Sequence, residues 1–234
     1  MPKLYLIPNI LINRAKADSM ATSVAQAIRP LRLFFVEGPK SARALLRTLD
    51  PDFPLSECVF LPLNEHTQSK EIESHFSQSH DRDMAIISEA GYPCVADPGA
   101  ELVRLAHGQG VEVVPLVGAS SIILALAASG LNGQNFAFNG YLPKDRQERL
   151  KKIKTLEQRS AQEGQTQIVM EAPYRNQNLL EDLLSVCDTK TLLCTASDIT
   201  GPQQMIKTAT VTQWRKMAIR LEKVPTVFLL LYIY

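Results

Sequence analysis

The first 115 residues alternate short apolar runs with helical patterns, and this alternation restricts the chain more than any other feature. Leu4 to Ile7, Leu33 to Val36, Val59 to Leu61, Met84 to Ile87 and Val111 to Val114 read as strands. Helical patterns fall between them at 16–28, 41–49, 69–79 and 100–109; the first places Met20, Ala21, Val24 and Ile28 on one stripe. The strand runs are apolar at successive positions, not at every second one. Strands of that kind are buried on both faces, and helices between them supply the cover of a mostly parallel sheet.

The second half follows another pattern. An Ala-rich helix at 120–129 ends at Gly130, a suitable C-cap. Phe136 to Asn139 reads as a strand and 145–160 as a long charged helix. Ile168 to Glu171, Leu192 to Ala196, Met205 to Thr210 and Thr226 to Ile233 read as strands, with a helix at 176–186. Here strands succeed one another without intervening helices, which predicts a mixed sheet. The expected fold is therefore α/β with two lobes: an N-terminal lobe over 1–115 and a C-terminal lobe over 116–234.

Composition narrows the function. Twenty-five Lys and Arg against twenty-four Asp and Glu give a net charge of +1, so nucleic-acid binding would need a local patch. Cys58, Cys94, Cys187 and Cys194 form no CxxC pair and sit with four scattered His, which argues against a metal site and for a reducing compartment. No signal-peptide pattern opens the sequence. The apolar run Val224 to Tyr234 is about half the length of a membrane span and reads as a buried strand. A cytoplasmic enzyme without membrane or metal partners is expected.

Four stretches could carry chemistry. Ser88-Glu89-Ala90-Gly91-Tyr92-Pro93, followed by Asp97-Pro98-Gly99, leaves the carboxyl end of a buried strand, where ligands of open α/β sheets sit. Gly91 would let backbone approach a ligand; the alternative is an ordinary turn with Asp97 capping the next helix. Val114 to Ser121 joins the lobes and opens a helix that Ser120 or Ser121 could cap, with free N–H groups for a ligand. Glu171-Ala172-Pro173-Tyr174-Arg175 offers either a ligand contact or a structural Glu–Arg pair. The helix from Lys144 to Arg159 holds seven basic residues, for phosphates or merely for solvent. There is no GxGxxG or Walker motif, and neither Cys94 nor His66 belongs to a local nucleophile signature.

Taken in order, these loops resemble the tetrapyrrole methylase superfamily, and within it the members that methylate ribosomal RNA. The likeness is carried by Ser88 to Pro93, Asp97-Pro98-Gly99 with Leu102-Val103-Arg104, Val113 to Gly118, Gly140-Tyr141-Leu142-Pro143, and Glu171 to Arg175. It implies two α/β lobes with a cleft that takes S-adenosylmethionine. It implies cofactor contacts at Glu89, Ala90, Gly91 and Tyr92, at Val95 beyond them, at Ser120 and Ser121, and at Glu171. It also implies a homodimer. Pro8 is what remains of a Gly/Pro-rich first loop, which here reads Pro8 to Asn13. Glu37-Gly38-Pro39-Lys40 stands where such members carry Glu-Asp-Thr-Arg, and their Arg-Glu pair is missing near Ala196 to Thr200.

Methyl transfer to a ribose 2′-hydroxyl needs alignment and a general base. Glu89, Glu37 and Asp97 are the candidates, in that order. Two alternatives stay open: a methyltransferase acting on a tetrapyrrole or another small molecule, and a family member that binds a ligand or partner without catalysis.

Overall fold

The computed structural model describes residues 1–12 and 22–233. Asn13 of the first loop, Met20 and Ala21 of the expected stripe, and Tyr234 lie outside the described residues. The described chain divides into two compact units, Met1–Ser120 and Ser121–Tyr234.

In the first unit, strands β1 (Lys3–Ile7), β2 (Leu33–Val36), β3 (Val59–Pro62), β4 (Met84–Ile87) and β5 (Glu112–Pro115) form one sheet in the order β3-β2-β4-β1-β5. Each neighbouring pair is parallel. Helices α1 (Thr22–Ile28), α2 (Pro39–Leu49), α3 (Ser69–Ser77) and α4 (Ala100–Gly108) lie in the crossovers. Successive strand side chains point to opposite faces. Phe34, Val36, Ala85 and Ile87 meet Val24 and Ile28 of α1 and Leu45 and Leu46 of α2. Phe35, Met84 and Ile86 meet Ile72 and Phe76 of α3 and Leu102 and Ala106 of α4. Both faces of β2 and β4 are thus covered, and all four residues of each are buried. Truncating one of these Phe to Ala would cost about 3–5 kcal/mol. The expected parallel sheet is the one observed. Helix α2 starts earlier than the pattern suggested, because Pro39 occupies its first turn, where a missing N–H costs nothing.

In the second unit, β6 (Phe136–Tyr141), β7 (Thr166–Glu171), β8 (Leu192–Ser197), β9 (Met205–Thr210) and β10 (Thr226–Leu231) run in the order β6-β7-β10-β8-β9. The β6–β7 pair is parallel and the other three are antiparallel, so the sheet is mixed, as expected. The apolar C-terminal run supplies β10, a central strand. Among the described residues no helix is long and apolar enough to cross a membrane. Helices α5 (Ser121–Ser129), α6 (Arg146–Glu163), α7 (Asn176–Val186) and α8 (Val211–Arg215) complete the unit. Ile153 and Leu156 of α6, Leu180 and Leu183 of α7 and Trp214 of α8 pack against Val169, Leu193 and Phe228. Helix α6 outlasts its expected end at 160. Asp145 caps its start by accepting from the Glu148 N–H at 2.9 Å, and Gly164 closes it in the left-handed region at φ 61°. Helix α8 was not expected. Its signal was present in Thr210-Val-Thr-Gln213, which forms a reciprocal capping box.

Candidate active site

Parallel strands deliver their carboxyl ends to one edge of a sheet, and ligands of such sheets bind there. In the first unit β4 lies between β2 and β1. The loops leaving these three strands are therefore neighbours, and they carry Glu37, Ser88 to Gly99, and Pro8-Asn9.

The Ser88–Gly91 turn is held from both sides. From the β2 side, a Glu37 carboxylate oxygen accepts the Glu89 N–H at 3.1 Å. From the β1 side, Asn9 is buried and spans the turn. Its Nδ2 donates to the Ser88 carbonyl at 2.8 Å and to the Glu89 carbonyl at 3.0 Å. Its backbone N–H donates to the Gly91 carbonyl at 2.7 Å, and its carbonyl accepts the Gly91 N–H at 3.2 Å. Ser88 Oγ adds a bond to the Gly91 carbonyl at 3.2 Å. Asn9 was not among the expected site residues. In the sequence it is one polar residue in an apolar turn, and only the pairing of β1 with β4 aims it at Gly91.

The rest of the loop is conformationally costly. Gly91 has φ 72° and Gly99 φ 126°, while Cys94 at 66° and Ala96 at 63° adopt the left-handed region without being glycine. Such non-glycine positions cost about 1–3 kcal/mol each and concentrate where function requires them. At Gly91 a Cβ would come within 3.1 Å of Leu11 Cδ2. Asp97 does not cap α4; Gly99 occupies that position, without a side-chain bond. Its carboxyl instead lies near two others. Burial first, then the charges of Glu37 and Glu89, push the Asp97 carboxyl up to about 7. Burial pushes the Cys94 thiol up to about 11, so at neutral pH it stays protonated and is no nucleophile.

Pro8 is buried and its ring lies where a side chain on residue 118 would begin, which accounts for Gly118. Tyr92 packs against the α3/α4 face of the core, whereas Val95 and Val117 are 46% and 75% exposed. Ser120 closes the first unit and Ser121 opens α5. Thus the first unit assembles Glu37, Glu89 to Tyr92 and Asp97 on adjoining loops, with Pro8 against Gly118.

The strand end at Glu171 in the second unit is different. The Glu171 side chain is 1% exposed; it accepts from Arg175 Nε at 3.0 Å and from the Ala172 N–H at 2.7 Å. Of the two roles weighed for this stretch, the ion pair is the one formed. The basic helix also divides. Arg149 is buried and donates to Asp182 Oδ2 at 2.6 Å and to the carbonyls of Pro143 and Lys144, while Arg146 reaches Asp182 Oδ1 at 2.9 Å. Lys151, Lys152 and Lys154 remain exposed. All four cysteines are free, and no group among the described residues could hold a metal ion.

Comparison with known proteins agrees with this architecture. The family model for Tetrapyrrole (Corrin/Porphyrin) Methylases matches residues 16–214. The ribosomal RNA small subunit methyltransferase I of Escherichia coli O157:H7 is 30% identical over 89% of this chain and 69% of its own length. The protein of that name from Pseudomonas aeruginosa is 32% identical over 73% of this chain and 57% of its own. The chain thus spans between half and seventy per cent of these relatives. Among solved structures, the methyltransferase CobJ superposes with a TM-score of 0.63 at 17% identity, covering 99% of this chain and 94% of that one. Diphthine synthase superposes with a TM-score of 0.67 at 13% identity, covering 99% and 90%. Those two likenesses speak to the fold. The family match over most of the sequence, supported by the curated relatives, establishes that the chain belongs to the tetrapyrrole (corrin/porphyrin) methylases, a family of S-adenosylmethionine-dependent methyltransferases.

Proposed function

We propose that this chain transfers the methyl group of S-adenosylmethionine to a ribose 2′-hydroxyl of ribosomal RNA, the substrate in its relatives' name. The observation that carries the reading is the cluster of Glu37, Glu89 and Asp97 at the carboxyl edge of a parallel sheet, one member of which titrates near neutrality. The residues suit the cofactor. Its sulfonium and ammonium groups are cations, which three carboxylates attract, and its ribose hydroxyls are donors for a carboxylate such as Glu89. Gly91 leaves backbone bare where a side chain would intrude. We assign Glu89 to Tyr92 and Val95 as the main contacts, with Pro8 and Ser120 of the same unit; the family resemblance adds Ser121 and the strand end at Glu171 of the second unit.

When bound, S-adenosylmethionine supplies a methyl group on a positively charged sulfur. The chain's own contribution is alignment and proton removal. Holding the reactants in line can lower the barrier by about 7–11 kcal/mol. A ribose hydroxyl must also lose its proton. Asp97 is the base of choice, because a carboxyl titrating near 7 is both available and basic enough at neutral pH. Glu37 fixes the Glu89 amide and keeps charge beside Asp97.

Lys151, Lys152 and Lys154 supply the exposed charge for an RNA backbone. A small-molecule acceptor such as a tetrapyrrole is the second reading. It is favoured by the engagement of Arg146 and Arg149 with Asp182, which removes two cations from that face. A homodimer in the cytoplasm completes the proposal; exposed Ile123 and Leu124 on α5 supply apolar surface for a partner copy. The test is transfer of tritiated methyl to undermethylated small ribosomal subunits and, separately, to a porphyrinogen. Labelled ribosomal RNA supports the first reading and a labelled porphyrinogen the second. No transfer to either, with S-adenosylhomocysteine still bound in calorimetry, points to a binding protein without catalysis.

A further inference from the structure

We infer that Asn9 is a positioning residue of the methyl-transfer site: its carboxamide and backbone together set the shape of the Ser88–Gly91 turn that the proposed function gives to the cofactor. The inference rests on that function and adds to it a residue with no assigned role.

The geometry is specific to an amide side chain. β1 and β4 are parallel neighbours, with Ile7 opposite Ile87. Beyond these residues the strands end, yet Asn9 and Gly91 form a two-way backbone bridge. That bridge fixes the distance between the two loops but not the orientation of the peptides at Ser88 and Glu89. The Asn9 side chain does that. One NH2 group has two protons, and here they meet two carbonyls, Ser88 at 2.8 Å and Glu89 at 3.0 Å. The remaining Oδ1 accepts the Ile10 N–H at 2.8 Å, which holds the carboxamide plane in place. With Ser88 Oγ on the Gly91 carbonyl, backbone acceptors of the turn face inward onto protein donors. Asn9 is also buried, so water cannot replace its two donors at little cost.

Asp is the informative substitution. In Asn9→Asp the shape is kept, but an ionised carboxylate is acceptor-only and would face two carbonyl oxygens. The turn must then open. Once protonated, the same carboxyl regains one donor and restores one of the two bonds. Asn9→Asp should therefore bind S-adenosylhomocysteine about ten- to a hundredfold more weakly than the unaltered protein at pH 8. It should recover part of that loss as pH falls toward 5. Asn9→Ala, which can donate at no pH, should be weakened throughout. Asp97 titrates in all three proteins, so the diagnostic is the difference between the Asp and Ala profiles.

Calorimetric titration of the full chain with S-adenosylhomocysteine at pH 8, 6.5 and 5, with the melting temperature at each pH, reads all of this. Weakened binding in both variants, with acid recovery in Asn9→Asp alone, is the result expected. Unchanged affinity in the two variants, or a lowered melting temperature with unchanged affinity, overturns the inference and leaves Asn9 a fold-stabilising residue. Two variants that fail to fold also overturn it. If the unaltered protein binds no S-adenosylhomocysteine, the cofactor assignment itself has failed, which is a separate outcome.

Discussion

Two strands of this protein end in nearly the same way. β4 runs into Ser88-Glu89-Ala90-Gly91-Tyr92-Pro93 and β7 into Glu171-Ala172-Pro173-Tyr174-Arg175. Each buried strand delivers a carboxylate followed by Ala and a turn. The outcomes are opposite. Glu171 has an Arg four residues on, folds back onto it and is buried with its charge answered. Glu89 is exposed, carries its amide on Glu37, and stands near Asp97 without a cation partner among the described residues. Asp182, held by Arg146 and Arg149, repeats the pattern of Glu171. Glu171 and Asp182 of the second unit hold the fold; Glu37, Glu89 and Asp97 of the first stand at a sheet edge with no ion pair to a cation among the described residues. A strand-end acid reads as chemistry only when no cation is placed to absorb it.

The sharpest way to break this contrast is Asp97→Asn. If Asp97 is the base, methyl transfer to a hydroxyl should fall by about 10²–10⁴-fold, and the rise of rate with pH through about 7 should disappear. A retained inflection near 7 in initial-rate assays would move the role to another group.

Asp182→Ala tests the other side. Removing one member of a buried pair strands two guanidinium groups, one of them buried, and should cost about 3–5 kcal/mol in chemical unfolding. A loss below about 1 kcal/mol would mean that the pair is as dispensable as a surface one.

Gly91→Val examines the turn. A β-branched residue at φ 72° is strained and its Cβ crowds Leu11, so stability should drop by about 1–3 kcal/mol. S-adenosylhomocysteine affinity should weaken with it, measured by calorimetry on folded protein.

The smallest expected effect is on stability. The folded-state pKa of Asp97 lies above its unfolded value of about 3.9, so the folded state holds the proton more tightly. Its contribution is present in full below pH 4 and is lost as pH rises to about 7. Above that, the ionised carboxyl weighs against the fold. Asp97→Asn should therefore raise stability at pH 8 by about 1–2 kcal/mol, a fraction of the full shift because water reaches the group, and leave it unchanged at pH 4. Parallel melting curves for the two proteins at both pH values decide it. A variant that loses activity while gaining stability is the expected mark of a residue kept for chemistry.

The sequence by itself determined the layers. The runs Leu33 to Val36 and Met84 to Ile87 are apolar throughout, and the burial of both faces is the only inexpensive use of such strands. Caps were also local: Asp145 with Gly164 bounds α6, and Thr210 with Gln213 opens α8. What the tertiary structure alone decided was which neighbour each polar side chain received. Asn9 meets Gly91 only because β1 pairs with β4, across eighty residues of sequence. Arg149 left the expected basic face because α7 brings Asp182 beneath it. Asp97 acquired its near-neutral carboxyl from burial and from the charges of Glu37, in the loop after β2, and Glu89. Hydrophobic burial follows a periodicity that can be read along the chain, whereas a hydrogen bond or a pKa depends on groups a few ångströms away, and strand order sets those.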